Sequence, residues 1–281
     1  MNHVFLPEIT SSFFRLCLHG DLLDFKLAWK ALWQKRHALG ACRLPFGTVN
    51  YFDALVFYYQ YQEIVRDGCY DFNCPETKPR IVDCGGNIGL SVIRFKTLYP
   101  EAVITVFEAD PAIAAALKQN LHTCQLNDVI IRNEAVGAFN GTALFQADGL
   151  DSGHVTTSPE AGGVSVTCIR LADQIHEPVA LLKLDIEGSE YAVIDDLIAS
   201  GNIKFIQRMV VEVHASSTKP EPVAQILSQL GHAGFSVTLG HARSAPDLPG
   251  KTETTPFNRL ADGRHLLHLY AWRPDGHSPD V

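Results

Sequence analysis

The chain has 281 residues, 46% of them hydrophobic, and its 31 acids outnumber 23 lysines and arginines for a net charge of −8. That is enough apolar material for one large folded domain with a smaller attached element, and too much for a disordered chain. The acidic balance speaks against a duplex nucleic-acid binder, which needs a basic face, and no apolar run reaches the length of a membrane span. Seven cysteines, odd in number and scattered, read as reduced thiols. The N-terminus has no basic stretch before an apolar core, so a cytoplasmic protein without a secretory signal is expected.

In chain order, Phe14, Leu18, Leu22, Phe25, Trp29, Leu32 and Trp33 recur at helical spacing between residues 7 and 38, with Gly20-Asp21 dividing the stretch. Gly40 and Pro45-Phe46-Gly47 break the pattern. Residues 50–65 are rich in aromatics and predict another helix. Residues 1–75 thus read as a helical cap, and 76–281 as the domain it leans on. The aromatic face of the cap can pack on that domain or make a homo-oligomer contact.

From residue 80 strands alternate with helices, the rhythm of a doubly wound, mostly parallel α/β sheet. Strands are predicted at 80–83, 103–107, 128–132, 181–184, 208–213, 234–239 and 265–272. Helices are predicted at 88–98, 111–123 and 189–200, with another starting at 222. Residues 136–147 and 164–169 alternate like an inserted hairpin, joined by a loop-like 148–163.

The chemistry concentrates at strand ends. Asp83-Cys84-Gly85-Gly86-Asn87-Ile88-Gly89 follows the first strand and opens a helix. Gly85 and Gly89 allow a tight turn and close ligand approach. The spacing is not the G-x-G-x-x-G of a dinucleotide cradle, which speaks against the alternative of an NAD(P)-dependent oxidoreductase on the same kind of sheet. An acid before the first glycine suits a cationic amino-acid end instead. Glu108 ends the second strand 19 residues after Gly89, where such units place the acid that takes ribose hydroxyls. Asp185 and Glu187 end the strand at 181–184. Glu212 and His214 end the next one, on one side of it by the two-residue period.

Four motifs together resemble the FkbM-type methyltransferases: the glycine loop, Asn133-x-Ala135-Val136-Gly137, Lys183-Leu184-Asp185-Ile186-Glu187-Gly188-x-Glu190, and Glu212-x-His214. The likeness covers about residues 80–240, and Gly86 departs from the alanine usual at that position. It implies a class I, Rossmann-like sheet, S-adenosylmethionine as methyl donor, and a hydroxyl of a sugar or secondary metabolite as acceptor. It places the cofactor against Asp83, Gly85, Asn87, Gly89, Glu108 and Asp185, with adenine near Glu134 and Ala135. Asp185, Glu187, Glu212 and His214 are the catalytic candidates. They can form a histidine base oriented by an acid. Asp185, Glu212 and His214 can equally hold Mg²⁺ or another divalent ion. Lys183 and Glu190 read as structural. A cofactor-binding module without catalysis is the third alternative.

Overall fold

A computed structural model describes residues 22–147, 153–156, 163–216, 218–244 and 264–274. Phe14 and Leu18 of the expected first helix lie outside them.

The N-terminal region is part helix and part hairpin. Helix α1 (Leu22–Trp33) is followed by strands β1 (Gly40–Leu44) and β2 (Gly47–Tyr51), then by α2 (Ala54–Gln60), which runs into a π-helical turn at Tyr61–Arg66. The hairpin was not expected from sequence. Its signal is alternation: Cys42 and Leu44 on one strand and Val49 and Tyr51 on the other are all buried, a half-buried strand pattern too short to outweigh the breakers beside it. Asp53 starts α2. One carboxylate oxygen accepts from the Leu55 and Val56 amides at 2.8 and 3.2 Å. The other accepts from Arg36 and the His37 amide, each at 2.7 Å. An N-cap of this kind satisfies donors that a helix start leaves free.

The main sheet has seven strands in the order β12-β13-β11-β10-β3-β4-β5. They are β3 (Arg80–Cys84), β4 (Val103–Phe107), β5 (Ile130–Arg132), β10 (Leu181–Leu184), β11 (Arg208–Ser216), β12 (Ser236–Ser244) and β13 (Arg264–Trp272). β13 alone runs antiparallel to both its neighbours. Helices α3 (Leu90–Leu98), α4 (Pro111–Thr123), α5 (Glu190–Ala199) and α6 (Glu221–His232) connect the strands. This is the doubly wound class I methyltransferase sheet that the resemblance implied.

The insertion is larger than a hairpin. β6 (Ala135–Gly137), β7 (Gly141–Ala147), β8 (Gly153–Thr156) and β9 (Val164–Arg170) make a second sheet in the order β6-β9-β7-β8. The stretch expected to be loop-like contains β8, which pairs antiparallel with β7.

Between β3 and β10 the chain changes direction across the sheet, since β4 and β5 build outward from one and β11 from the other. Ligands of open α/β sheets bind outside the carboxyl ends at such a point. The parallel register sets Lys183 beside Asp83 and Leu184 beside Cys84. Asp185 therefore leaves β10 next to the glycine loop.

Candidate active site

The glycine loop is shaped by packing as much as by ligand access. Gly85 has φ of +89°, and a Cβ there would lie 1.8 Å from the Asp185 carbonyl oxygen. Two strand ends touch through this position, so a side chain would push β3 and β10 apart before it reached any ligand. At Gly89, φ is +96° and a Cβ would meet Leu117 at 2.7 Å. Asn87 and Glu187 also carry positive φ, 46° and 57°. Such strain in non-glycine residues concentrates at functional sites.

Beneath the loop lies a buried charge cluster. Asp83 is wholly buried and accepts from the Ser91 hydroxyl at 2.5 Å. The buried Lys183 ammonium lies 3.2 Å from Asp83 and 3.4 Å from Asp185, and donates to the Gly85 carbonyl at 2.8 Å. Burial pushes the Asp83 carboxyl up, against the pull of Lys183. Burial opposes the charge on Lys183 too, but Asp83 and Asp185 outweigh it and hold the ammonium well above the usual lysine range. Asp83 was expected to face the cofactor. It lies behind the loop instead, spent on Ser91 and Lys183, and lines neither of the two cavities below. Lys183, expected to be structural, is the strut between β3, β10 and the loop.

Two cavities meet over this cluster. The first, about 70 Å³, is bounded by Asn87, Phe107, Glu108, Ile113, Ala135 and Phe145 among others. Glu108 accepts from the Asn87 amide at 2.8 Å and the Asp110 amide at 2.9 Å. Burial outweighs those bonds and pushes its carboxyl up to about 7. Glu134 also lines this cavity, with its carboxylate 2.7 Å from Arg132. Asn133 turns away and donates to the Glu108 and Ala109 carbonyls. The apolar walls Phe107, Ile113 and Phe145 were missed in the sequence, because they are ordinary core residues until the sheet edge exposes one face of them.

The second cavity, about 190 Å³, is lined by Gln60, Glu63, Tyr70, Ser91, Lys183 and Glu212 among others. The two share Gly85, Asn87, Asp185 and Glu187. Glu63 and Tyr70 come from the N-terminal region, which thus closes this side. Burial, then Asp185 and Glu212, push the Tyr70 hydroxyl well above the usual tyrosine range. Burial and Asp185 likewise raise the Glu212 carboxyl, against His268.

His214 and Glu212 do lie near each other, but their partners differ. His214 Nε2 is 2.9 Å from Glu187, and Nδ1 is 3.3 Å from Glu190, a charge contact outside hydrogen-bond geometry. Burial works against protonation, but the two carboxylates prevail and raise His214 to about 11. Glu190 is fully buried and also accepts from the Ile186 and Gly188 amides. Glu212 instead lies 3.1 Å from His268 Nε2. The expected set of Asp185, Glu212 and His214 therefore does not converge on a common point, since the His214 ring is taken by Glu187 and Glu190. Among the described residues, the group of carboxylate and imidazole atoms close enough to share an ion is Glu63, Glu212 and His268.

A family model for the methyltransferase FkbM domain matches residues 83–237, more than half of the chain. The chain belongs to the FkbM methyltransferase family. Among curated relatives it is 29% identical over 248 residues to methyltransferase sdnD of Sordaria araneosa, covering 74% of this chain and 92% of that protein. It is 28% identical over 212 residues to methyltransferase 1 of Beauveria bassiana, covering 66% of this chain and 84% of that one. A solved methyltransferase FkbM from Methylobacillus flagellatus KT aligns at a TM-score of 0.47 and 16% identity, over 95% of this chain and 59% of that structure. The FkbM match overturns the oxidoreductase alternative. S-adenosylmethionine is the methyl donor of this family.

Proposed function

We propose that this FkbM methyltransferase moves a methyl group to a hydroxyl of a small sugar or secondary metabolite. The observation that carries the reading is the pair of carboxylates, Asp185 and Glu187, at the junction of the two cavities. A sulfonium has three substituents. With its nucleoside in the first cavity, the Glu108 carboxyl at the ribose and Phe107, Ile113 and Phe145 against the base, and its amino-acid chain in the second, the methyl is left facing the rim where these carboxylates stand. Holding an acceptor oxygen in line with the carbon–sulfur bond supplies much of the rate. As the carbon–oxygen bond forms, the carbon–sulfur pair returns to sulfur and gives S-adenosylhomocysteine. The hydroxyl proton needs an acceptor, and a carboxylate at the rim can take it.

In this reading Glu187 is the base and His214 its positioning residue, rather than the base that the sequence led us to expect. An imidazolium held between two carboxylates has no lone pair to offer. Its charge fixes the Glu187 carboxylate at the rim, while Lys183 holds Asp185. The test uses isotope-labelled methyl donor and a panel of polyhydroxylated acceptors. Label should appear as a methyl ether. Glu187→Gln should lower turnover by about a hundredfold, in the range of a lost general base, with S-adenosylhomocysteine affinity nearly unchanged. Label on nitrogen or carbon, or normal turnover in a folded Glu187→Gln protein, would overturn the assignment.

A further inference from the structure

The wall of the second cavity joins three elements far apart in sequence. Glu63 comes from the π-helical turn, Glu212 from β11 and His268 from β13, where His268 is the cross-strand neighbour of Glu212. His268 Nε2 lies 3.1 Å from Glu212 Oε2 and 3.5 Å from Glu63 Oε1. One donor atom from each lies within 4.8 Å of the other two. A metal bonded to oxygen and imidazole nitrogen at about 2.1 Å sets neighbouring donors roughly 3 to 3.5 Å apart. Both measured edges have that length. The other ring nitrogen, Nδ1, is turned to the Tyr270 hydroxyl at 3.5 Å. A metal-binding imidazole is ordinarily steadied through its second nitrogen in this way.

Charge points in the same direction. Glu63 and Glu212 line a cavity whose nearby ammonium, Lys183, is already engaged by Asp83 and Asp185. Two carboxylates with an imidazole suit Mn²⁺ or Zn²⁺ better than Ca²⁺, which takes oxygen ligands.

We propose that Glu63, Glu212 and His268 bind one divalent ion of the Mn²⁺ or Zn²⁺ class, with its remaining coordination positions open to the cavity. The ion site also assigns a binding residue, Glu63, to the N-terminal region.

The test titrates the full chain with Mn²⁺ and follows loss of the free-ion paramagnetic signal. Calorimetry with S-adenosylhomocysteine runs in parallel on every protein. One ion should bind per chain, Zn²⁺ should compete for it, and Glu63→Gln should weaken it by at least about tenfold. His268→Gln, on a different element, should do the same, which guards against a folding defect in either variant. His214→Asn should leave ion binding unchanged, because its ring points to Glu187 and Glu190. No binding at millimolar Mn²⁺, or binding indifferent to both Glu63→Gln and His268→Gln, overturns the proposal. If S-adenosylhomocysteine still binds in that case, only the ion site fails. If it does not bind, the cofactor reading fails as well.

Discussion

Glu108 is held by two backbone amides and buried, so geometry favours its charged form while the surroundings penalise it. Burial is the larger effect, and it lifts the carboxyl from 4.5 to about 7. The folded chain then keeps a proton that the unfolded chain has released. Its contribution to stability is full below the unfolded value and fades as pH rises through about 7. Cofactor binding has the opposite sign, because ribose hydroxyls donate best to the ionised form. S-adenosylhomocysteine should bind roughly tenfold more tightly at about pH 8 than at about pH 6, as read by calorimetry. Glu108→Gln should flatten that dependence and cost about 1.5 to 3 kcal/mol, the scale of hydrogen bonds to a charged group. An unchanged pH profile in the variant would remove Glu108 from the ribose site. At this scale the position of Glu108 was legible in the spacing from Gly89. Its titration was not, because burial depends on what the second sheet and α4 place over it.

Among the elements, α4 ties the glycine loop to the N-terminal hairpin through one residue. Asn120 has no exposed surface. Its Nδ2 donates to the Asn50 carbonyl at 3.0 Å and the Ile88 carbonyl at 2.9 Å, and its Oδ1 accepts from the Asn50 amide at 2.7 Å. Thr123, one turn on, donates to the Thr48 carbonyl. Replacing Asn120 with alanine strands the buried Ile88 carbonyl and the part-buried amide and carbonyl of Asn50, each worth up to about 1 to 3 kcal/mol when left unsatisfied. A loss of at least roughly 2 kcal/mol is expected from urea unfolding, and a change of less than about 0.5 kcal/mol, the usual effect of a surface substitution, would show that the bridge carries no weight. The helix itself was readable from Asp110-Pro111 and the apolar spacing behind it. The bridge was not, because an asparagine at mid-helix reads as solvent-facing until a hairpin is packed against it.

The whole molecule has no clean seam between its N-terminal region and its sheet. One hydrophobic cluster includes Leu27, Val49, Phe57 and Tyr58 together with Ile88, Val92, Ile93, Phe95 and Ile104. Arg94 of α3 pairs with Asp71 of the N-terminal region, so charge bridges the parts as well. A chain starting near Asp71 would uncover the α3 face of that cluster and lose Glu63. We expect it to aggregate, since large exposed apolar patches are adhesive. A soluble monomer that binds S-adenosylhomocysteine normally would show that residues before 71 are dispensable to the core. Among the described residues, no helix is long and apolar enough to cross a membrane.

What the sequence determined by itself is local. A buried β-branched run ending in an acid and glycines makes a strand and a turn wherever it occurs, because backbone freedom and side-chain period act over a few residues. That is why β4, β10 and α4 have the bounds their periodicity predicts, and why the FkbM motifs could be recognised before any coordinates. The tertiary structure decided the partners. Spacing put His214 on the same strand end as Glu212, but only folding set its ring between Glu187 and Glu190. His268 sits in an apolar strand and Glu63 in an aromatic stretch, and nothing nearby in the chain marks either. Charge, protonation and ion binding depend on through-space neighbours and burial, and those come from other segments of the chain.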